Sequence, residues 1–128
     1  MDVIVDSSVL IDALAGATIP ELERAIADNA IVLSPLVVAE VLSGDTSVGE
    51  RAALGVLLQD YPHHEASLGH WILVGHLRRM LREKGVNVTI PDAHVAQCAL
   101  DRDAAVYTND EIFVHIAKHT SLRVTRLR

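Results

Sequence analysis

Four acidic residues occupy positions where carboxylates could act together. Asp6 follows the apolar run DVIV, Asp110 follows AAVYT, and Asp92 follows Pro91. Glu40 differs from these three because it lies inside the apolar segment PLVVAEVL. A carboxylate among apolar neighbours is costly unless it is paired or binds a metal, although Glu40 could instead occupy a polar stripe that reaches solvent. These acids are therefore candidates for one metal site.

Carboxylates that are held together repel each other, so some must be protonated or a cation must neutralise them. Oxygen ligands without a Cys or His partner select Mg²⁺ or Mn²⁺ over zinc. Such an ion polarises a phosphoryl oxygen and lowers the pKa of an attacking water, which suits phosphodiester hydrolysis. We predict Asp6, Asp92 and Asp110 as ligands, directly or through water, and Glu40 as a ligand or as the residue that orients the water.

The three aspartates also have a simpler interpretation, because Asp is favoured at helix N-caps and in first turns. That interpretation explains each aspartate alone. In a parallel sheet, however, all strands end along one edge, so Asp6 and Asp110 should face the same crevice. A capping role does not explain Glu40, which lies inside an apolar segment. A metal site shared by all four acids explains Glu40 together with the three aspartates.

Short apolar runs alternate with segments of helical spacing, and this alternation predicts the elements that position the acids. The expected strands cover 2–6, 30–33, 104–108 and 122–127. The expected helices cover 7–16, 19–29, 34–44, 47–61, about 65–84, 91–103 and 109–119. Residues 86–90 fit either a strand or a loop. The pattern predicts an α/β domain whose mainly parallel sheet is covered by helices on both faces, without fixing the strand order.

Length and composition indicate a single domain over 1–128 with an aliphatic core, because aromatic residues make up only 3% of the chain. The only cysteine, Cys98, lies in an apolar run, which predicts a buried thiol and fits a reducing compartment.

No apolar stretch approaches the roughly 18 residues of a membrane span. The first residues lack the basic region of a signal peptide, so we expect a cytoplasmic location.

The net charge of −6 counts against a protein that binds nucleic acid by bulk electrostatics. A filled metal site would invert the charge locally. Basic residues are also concentrated in 77–84 and 123–128, where Arg78 or Arg82 could guide nucleic-acid phosphates, with Arg123 and Arg126 as weaker candidates. Without a platform of aromatic residues, recognition would depend on the shape of the nucleic acid.

The seven histidines suggest zinc only weakly. His115 and His119 share a helix face, but the metalloprotease pattern needs Glu where Ile116 stands. His63 and His64 lie in a loop beside Pro62, and the remaining spacings match no zinc motif. We therefore expect solvated or partly buried histidines.

Four segments together resemble the motifs of PIN-domain nucleases, in order and in spacing, and in particular those of VapC-type toxins. They are VIVDSSVLIDAL (3–14), SPLVVAEVL (34–42), IPDAHVAQCAL (90–100) and VYTND with the following Phe (106–113). The resemblance implies a three-layer PIN-like fold and a Mg²⁺-dependent (Mn²⁺ as an alternative) endoribonuclease acting on structured cellular RNA such as tRNA or rRNA. It further implies a small VapB-like antitoxin as partner, and a homodimer.

By position in those motifs, Asp6, Glu40, Asp92 and Asp110 match the family's acidic metal-binding residues. The resemblance also implies that Ser7 or Ser8 and Thr108 match small hydroxyl positions that support the acids.

The chain departs from the family pattern at two places. Ile112 stands where another acid is common, and His94 replaces an aliphatic residue. Asp12 could support the site or cover the outer face of its helix, and we expect the latter. The main alternative is a catalytically silent PIN-like module that binds RNA or protein, and a phosphotransfer domain is a third interpretation.

Overall fold

The computed structural model describes residues 1–127, so Arg128, the last residue of the basic segment 123–128, lies outside the described part. The strands are Val3–Val5 (β1), Ile31–Val32 (β2), Ala105–Thr108 (β3) and Arg123–Arg126 (β4). They form one sheet in the order β2-β1-β3-β4, and each neighbouring pair is parallel. The predicted parallel sheet is confirmed, and the strand order is new.

Within residues 1–127, seven helices surround the sheet and complete a three-layer α/β architecture, as predicted. They are Ser7–Leu14 (α1), Pro20–Ala27 (α2), Pro35–Ser43 (α3), Val48–Asp60 (α4), Leu68–Glu83 (α5), Ile90–Arg102 (α6) and Ile112–Ala117 (α7). Four of them begin after a Ser or Thr whose side-chain oxygen accepts a backbone N–H three residues later. These caps are Ser34, Ser47, Ser67 and Thr89. Local sequence therefore fixes where most of the helices start.

The core lies around β1 and α6. All three residues of β1 are buried, and so is the whole stretch 93–99 of α6. Small side chains such as Ala93, Ala96 and Ala99 dominate that stretch and let α6 approach the sheet closely. Phe113 is fully buried, and the rest of the core is almost entirely aliphatic, as predicted.

Several helices are shorter than expected at their ends, and α5 starts at Leu68, where Ser67 caps it, and not at about 65. Of the two alternatives for residues 86–90, the loop is found over 86–89, because Thr89 caps α6 and Ile90 already belongs to that helix. The predicted helix over 109–119 starts at Ile112, whose N–H donates to Asp110 Oδ1 at 3.0 Å and so completes a turn before the helix.

The topology places the ends of β1 and β3 side by side. Asp6 N donates to Tyr107 O at 2.9 Å, one residue beyond β1. The carboxyl ends of these strands therefore share one edge of the sheet, where Asp6 meets the segment from Thr108 to Asp110. Within 1–127, no helix has the length and apolarity to cross a membrane.

Candidate metal centre

Asp6 is the most enclosed of the four candidate ligands, with 4% of its surface exposed. Its Oδ2 accepts hydrogen bonds from Ser8 Oγ at 3.0 Å and from Thr108 Oγ1 at 2.8 Å. These two bonds fix the orientation of the carboxylate. Among the described residues no group donates to Oδ1, which leaves that oxygen available to a cation.

Thr108 connects two of the acids. Its hydroxyl is fully buried, donates to Asp6 Oδ2 and accepts from Asp110 N at 2.9 Å. Ser8 Oγ likewise accepts from Asn109 N at 3.1 Å, which ties the start of α1 to the loop after β3. Ser8 and Thr108, which the resemblance singled out, thus lie within the site, and the hydroxyl contacts at α1 come from Ser8.

Asp92 reaches the same region from the first turn of α6, where it is partly buried. Burial raises the pKa of its carboxyl, and the charges of Asp6 and Asp110 raise it further, while a hydrogen bond with Thr89 opposes them. Asp92 therefore interacts electrostatically with both acids that follow the strands.

Glu40 lies on α3 and is exposed, so it reaches solvent as the simpler interpretation expected. Burial of its carboxyl nevertheless raises its pKa, and the charges of Asp6 and Asp92 add to the shift. Glu40 therefore contacts solvent and also interacts electrostatically with Asp6 and Asp92.

The four acids form one electrostatically connected set, because Asp6 interacts with Glu40 and Asp92, and Asp92 interacts with Asp110. No Lys, Arg or His of residues 1–127 forms an ion pair with any of them. A set of oxygen donors with uncompensated negative charge fits a hard divalent cation. The role of each acid as a ligand stays a prediction.

Replacing Thr108 with Val removes the buried hydroxyl and keeps the volume of the side chain. Because the hydroxyl orients Asp6 and holds Asp110 N, we expect roughly tenfold weaker Mg²⁺ binding, as for other residues that support ligands. Isothermal titration measures it, with Thr125→Val on β4 as the matched control. Unchanged Mg²⁺ affinity in Thr108→Val would contradict the role assigned to the hydroxyl.

Asp12 was expected to cover the outer face of its helix, and this expectation is wrong. It is half-buried, and its Oδ2 accepts from Asn109 Nδ2 at 3.0 Å. Asp12 therefore helps to hold the loop after β3, beside the acids.

The expectation for the histidines is wrong at three positions. His64, His70 and His94 are 7%, 5% and 1% exposed, whereas the other four are exposed or partly buried. The burial of His70 could have been predicted from the sequence. His70 lies on the same face of α5 as the buried residues Val74, Leu77 and Leu81.

Comparison with known proteins agrees with this geometry. The PIN domain model matches residues 3–119. The chain belongs to the PIN domain family. PIN domains are generally nucleases that use a divalent metal, so membership supports nucleic-acid hydrolysis as the class of reaction. No curated protein matches the chain significantly.

Solved structures share the fold of this PIN domain over its full length. A chain of VapBC2 from Rickettsia felis, bound to a promoter DNA fragment, superimposes with a TM-score of 0.82 at 19% identity and covers 100% of both chains. DNA-bound VapBC from Salmonella typhimurium gives 0.82 at 18%, covering 100% of this chain and 99% of that one. VapBC-5 from Mycobacterium tuberculosis, a toxin–antitoxin system, gives 0.70 at 24%, covering 98% and 99%.

Proposed function

We propose that this PIN domain is a Mg²⁺-dependent endoribonuclease and the VapC-type toxin of a toxin–antitoxin pair. The observation that carries the proposal is the set of four coupled carboxylates, which come from four separate segments and lack a basic partner in the described chain. We further propose tRNA or rRNA as substrate and the cytoplasm as the location.

In this mechanism Asp6, Asp92 and Asp110 would hold the ion, and the bonds from Ser8 and Thr108 keep Asp6 in place. When bound, Mg²⁺ (or Mn²⁺) would polarise the phosphoryl oxygen and acidify water. Glu40 is exposed to solvent, from which the attacking water comes, and would bind the ion or orient that water and accept its proton.

A groove at the start of α6, the helix that carries Asp92, suits the RNA backbone. It has a volume of about 200 Å³ and is lined by Arg78, Arg82, Asn87, Val88 and Thr89. Neither arginine forms an ion pair with any acidic residue among 1–127, although Arg78 Nε donates to Val88 O at 2.7 Å. Because Thr89 caps the helix that carries Asp92, a phosphate in this groove would place the neighbouring RNA near the acids.

Replacing Arg82 with Gln should weaken RNA binding about equally for all sequences and reduce the dependence of log K on log salt by roughly 0.7 to 1. Binding is measured at several salt concentrations with inactive Asp92→Asn protein as background. Arg79→Gln is the control, because Arg79 lies three residues away on α5 and pairs with Glu83. Equal salt dependence for both variants would argue against this groove as the RNA path.

Two apolar surfaces suit protein partners. A groove of about 260 Å³ lies between α1, α2 and α4, and we propose that a VapB-like antitoxin binds there. Its lining includes Leu10, Leu14, Leu22, Ile26, Leu57 and Tyr61. The start of α5 exposes Leu68, Trp71, Ile72 and Leu73, which supports the expected homodimer.

The proposal is tested by mapping cleavage of purified tRNA and rRNA with Mg²⁺ or Mn²⁺. Expression of the chain alone should arrest growth, and expression of Asp92→Asn should not. The absence of any cleavage, together with no stabilisation by Mg²⁺, would favour the catalytically silent module instead.

A further inference from the structure

Three buried side chains outside the acid cluster converge on one point. The ligand atoms of His64, His70 and Cys98 all lie within 4.8 Å of one another, and all three residues are buried. They come from the loop before α5, from α5 and from α6. We call this group the His–Cys cluster.

His70 is oriented as a metal-binding histidine would be. Its Nδ1 lies 2.6 Å from Asp101 Oδ2, and Gln97 Nε2 donates to Asp101 Oδ1 at 2.8 Å. Burial opposes ionisation of Asp101, but the hydrogen bonds from His70 and Gln97 outweigh it and hold the pKa of its carboxyl below the ordinary value. Because a carboxylate only accepts, the His70 proton sits on Nδ1, and the lone pair of Nε2 accepts a hydrogen bond from His94 Nδ1 at 2.8 Å. Metal-bound histidines are typically held by a carboxylate in this way.

His64 contributes an unsatisfied atom. Arg102 Nε donates to His64 Nδ1 at 2.8 Å, and the opposite nitrogen, Nε2, is buried without a hydrogen-bond partner in the described chain. Asp101 Oδ2 lies 3.7 Å away, beyond hydrogen-bond distance. A buried polar atom without a partner is destabilising, and nothing in the nuclease mechanism accounts for it.

Cys98 is fully buried and has only weak polar contacts in the metal-free protein. Its Sγ lies 3.4 Å from His94 Nε2. Burial raises the pKa of the thiol to about 12, so the group is protonated unless a cation stabilises the thiolate.

We propose that His64 Nε2, His70 Nε2 and Cys98 Sγ bind a borderline-soft transition metal of the Zn²⁺ class. Two imidazoles and a thiolate suit this class and are poor ligands for Mg²⁺. His94 lies beside these three residues, with Nδ1 2.8 Å from His70 Nε2 and 3.9 Å from Cys98 Sγ, and would supply the fourth ligand once its hydrogen bond to His70 is broken. The site is separate from the acid cluster and does not depend on the proposed nuclease activity.

Binding releases one proton per ion, from the Cys98 thiol, as the metal–sulfur bond forms. His64 keeps its proton but carries it on Nδ1, and Arg102 turns toward Asp2, whose Oδ2 lies 3.5 Å from Arg102 Nη1. His94 likewise carries its proton on Nε2 and donates it to Ser34 Oγ, which lies 3.0 Å away. Every nitrogen that faces the ion then presents a lone pair.

The test uses the full chain, stripped of metal and then saturated with Mg²⁺ to occupy the acid cluster. Titration with Co²⁺ should give one equivalent of binding and a thiolate-to-cobalt charge-transfer band, and Zn²⁺ should displace the cobalt. The affinity should rise about tenfold per pH unit, because one proton is released.

Matched variants locate the site. Cys98→Ser should abolish the charge-transfer band and weaken binding at least tenfold, and His70→Gln should weaken binding similarly. Asp92→Asn should retain both the band and the affinity. No Co²⁺ binding by the wild type, equal binding by Cys98→Ser, or loss of binding in Asp92→Asn would each overturn the proposal. The band of the wild-type protein remains decisive if a variant does not fold, and RNA cleavage assays test the nuclease separately.

Discussion

Replacing Asp92 with Asn should lower metal-dependent RNA cleavage by about a thousandfold or more. Asn keeps the shape of the side chain and leaves the backbone N–H that Thr89 caps in place, so the change removes charge from the metal site with little effect on α6. Single-turnover cleavage of purified tRNA and rRNA in Mg²⁺ measures the loss.

Asp45→Asn is the matched control, because Asp45 is exposed in the loop after α3 and interacts with none of the four acids in the described structure. It should cleave like the wild type. Asp6→Asn should be as defective as Asp92→Asn, since Asp6 is coupled to both Glu40 and Asp92. Cleavage that persists in both site variants would identify a contaminating nuclease.

Mg²⁺ should stabilise the wild-type protein strongly. At a concentration about 100 times its Kd, an ion that binds only the folded state contributes about 2.7 kcal/mol, which corresponds to roughly 10 °C in Tm for a domain of this size. The physical cause is the relief of repulsion among carboxylates that lack a basic partner in residues 1–127. Thermal unfolding with and without Mg²⁺ measures the shift.

The size of this shift should depend on pH, through Glu40 and Asp92. Burial, and then the charge of Asp6, raises the pKa of each above its ordinary value of 4.5 or 3.8. A carboxyl with a raised pKa contributes stability below its unfolded-state pKa and loses that contribution as pH rises through the folded-state value. In the metal-free protein the stabilising contribution of these two carboxyls therefore falls as pH rises from about 4 through this range, whereas the buried His94, whose pKa is lowered to about 4, contributes with the opposite sign whether or not Mg²⁺ is bound.

Mg²⁺ binds the ionised carboxylates, so its stabilising effect grows as they lose their protons. The difference in Tm with and without Mg²⁺ should be larger at about pH 8 than at about pH 5. Asp92→Asn should show little of this difference. A shift of equal size at both pH values would contradict the assignment of the raised pKa values to metal ligands.

Much of the fold follows from local sequence. The strand 104–108 and the helix 34–44 were predicted within one residue at each end, because apolar runs, Pro35 and Ser34 mark their limits. The order β2-β1-β3-β4 was not predictable, since parallel strands joined through helices leave no local record of their neighbours. The sequence left residues 86–90 open between a strand and a loop, because their apolar pattern is too short to decide. In the structure Thr89 caps α6, so residues 86–89 form a loop.

Some parts of the candidate site could be predicted from the sequence and others could not. The shared edge of Asp6 and Asp110 follows from parallel topology, whereas the meeting of Glu40 with Asp92 depends on the packing of α3 and α6 and rested on the resemblance. The His–Cys cluster was missed because the packing of α5 against α6 brings His64 and His70 to Cys98, and this packing leaves no local pattern in the sequence. The position of Asp12 likewise depends on Asn109, 97 residues away.

The most direct measurement is a titration of metal-free protein with Mn²⁺, followed by electron paramagnetic resonance, for the wild type and four variants. The variants are Asp6→Asn, Glu40→Gln, Asp92→Asn and Asp110→Asn, with Cys98→Ser as a control for the His–Cys cluster. We expect saturable binding to the wild type and to Cys98→Ser, competed by Mg²⁺, and weaker binding to each of the four variants. A wild type without saturable binding, or an Asp92→Asn protein that binds Mn²⁺ as the wild type does, would contradict a shared carboxylate site.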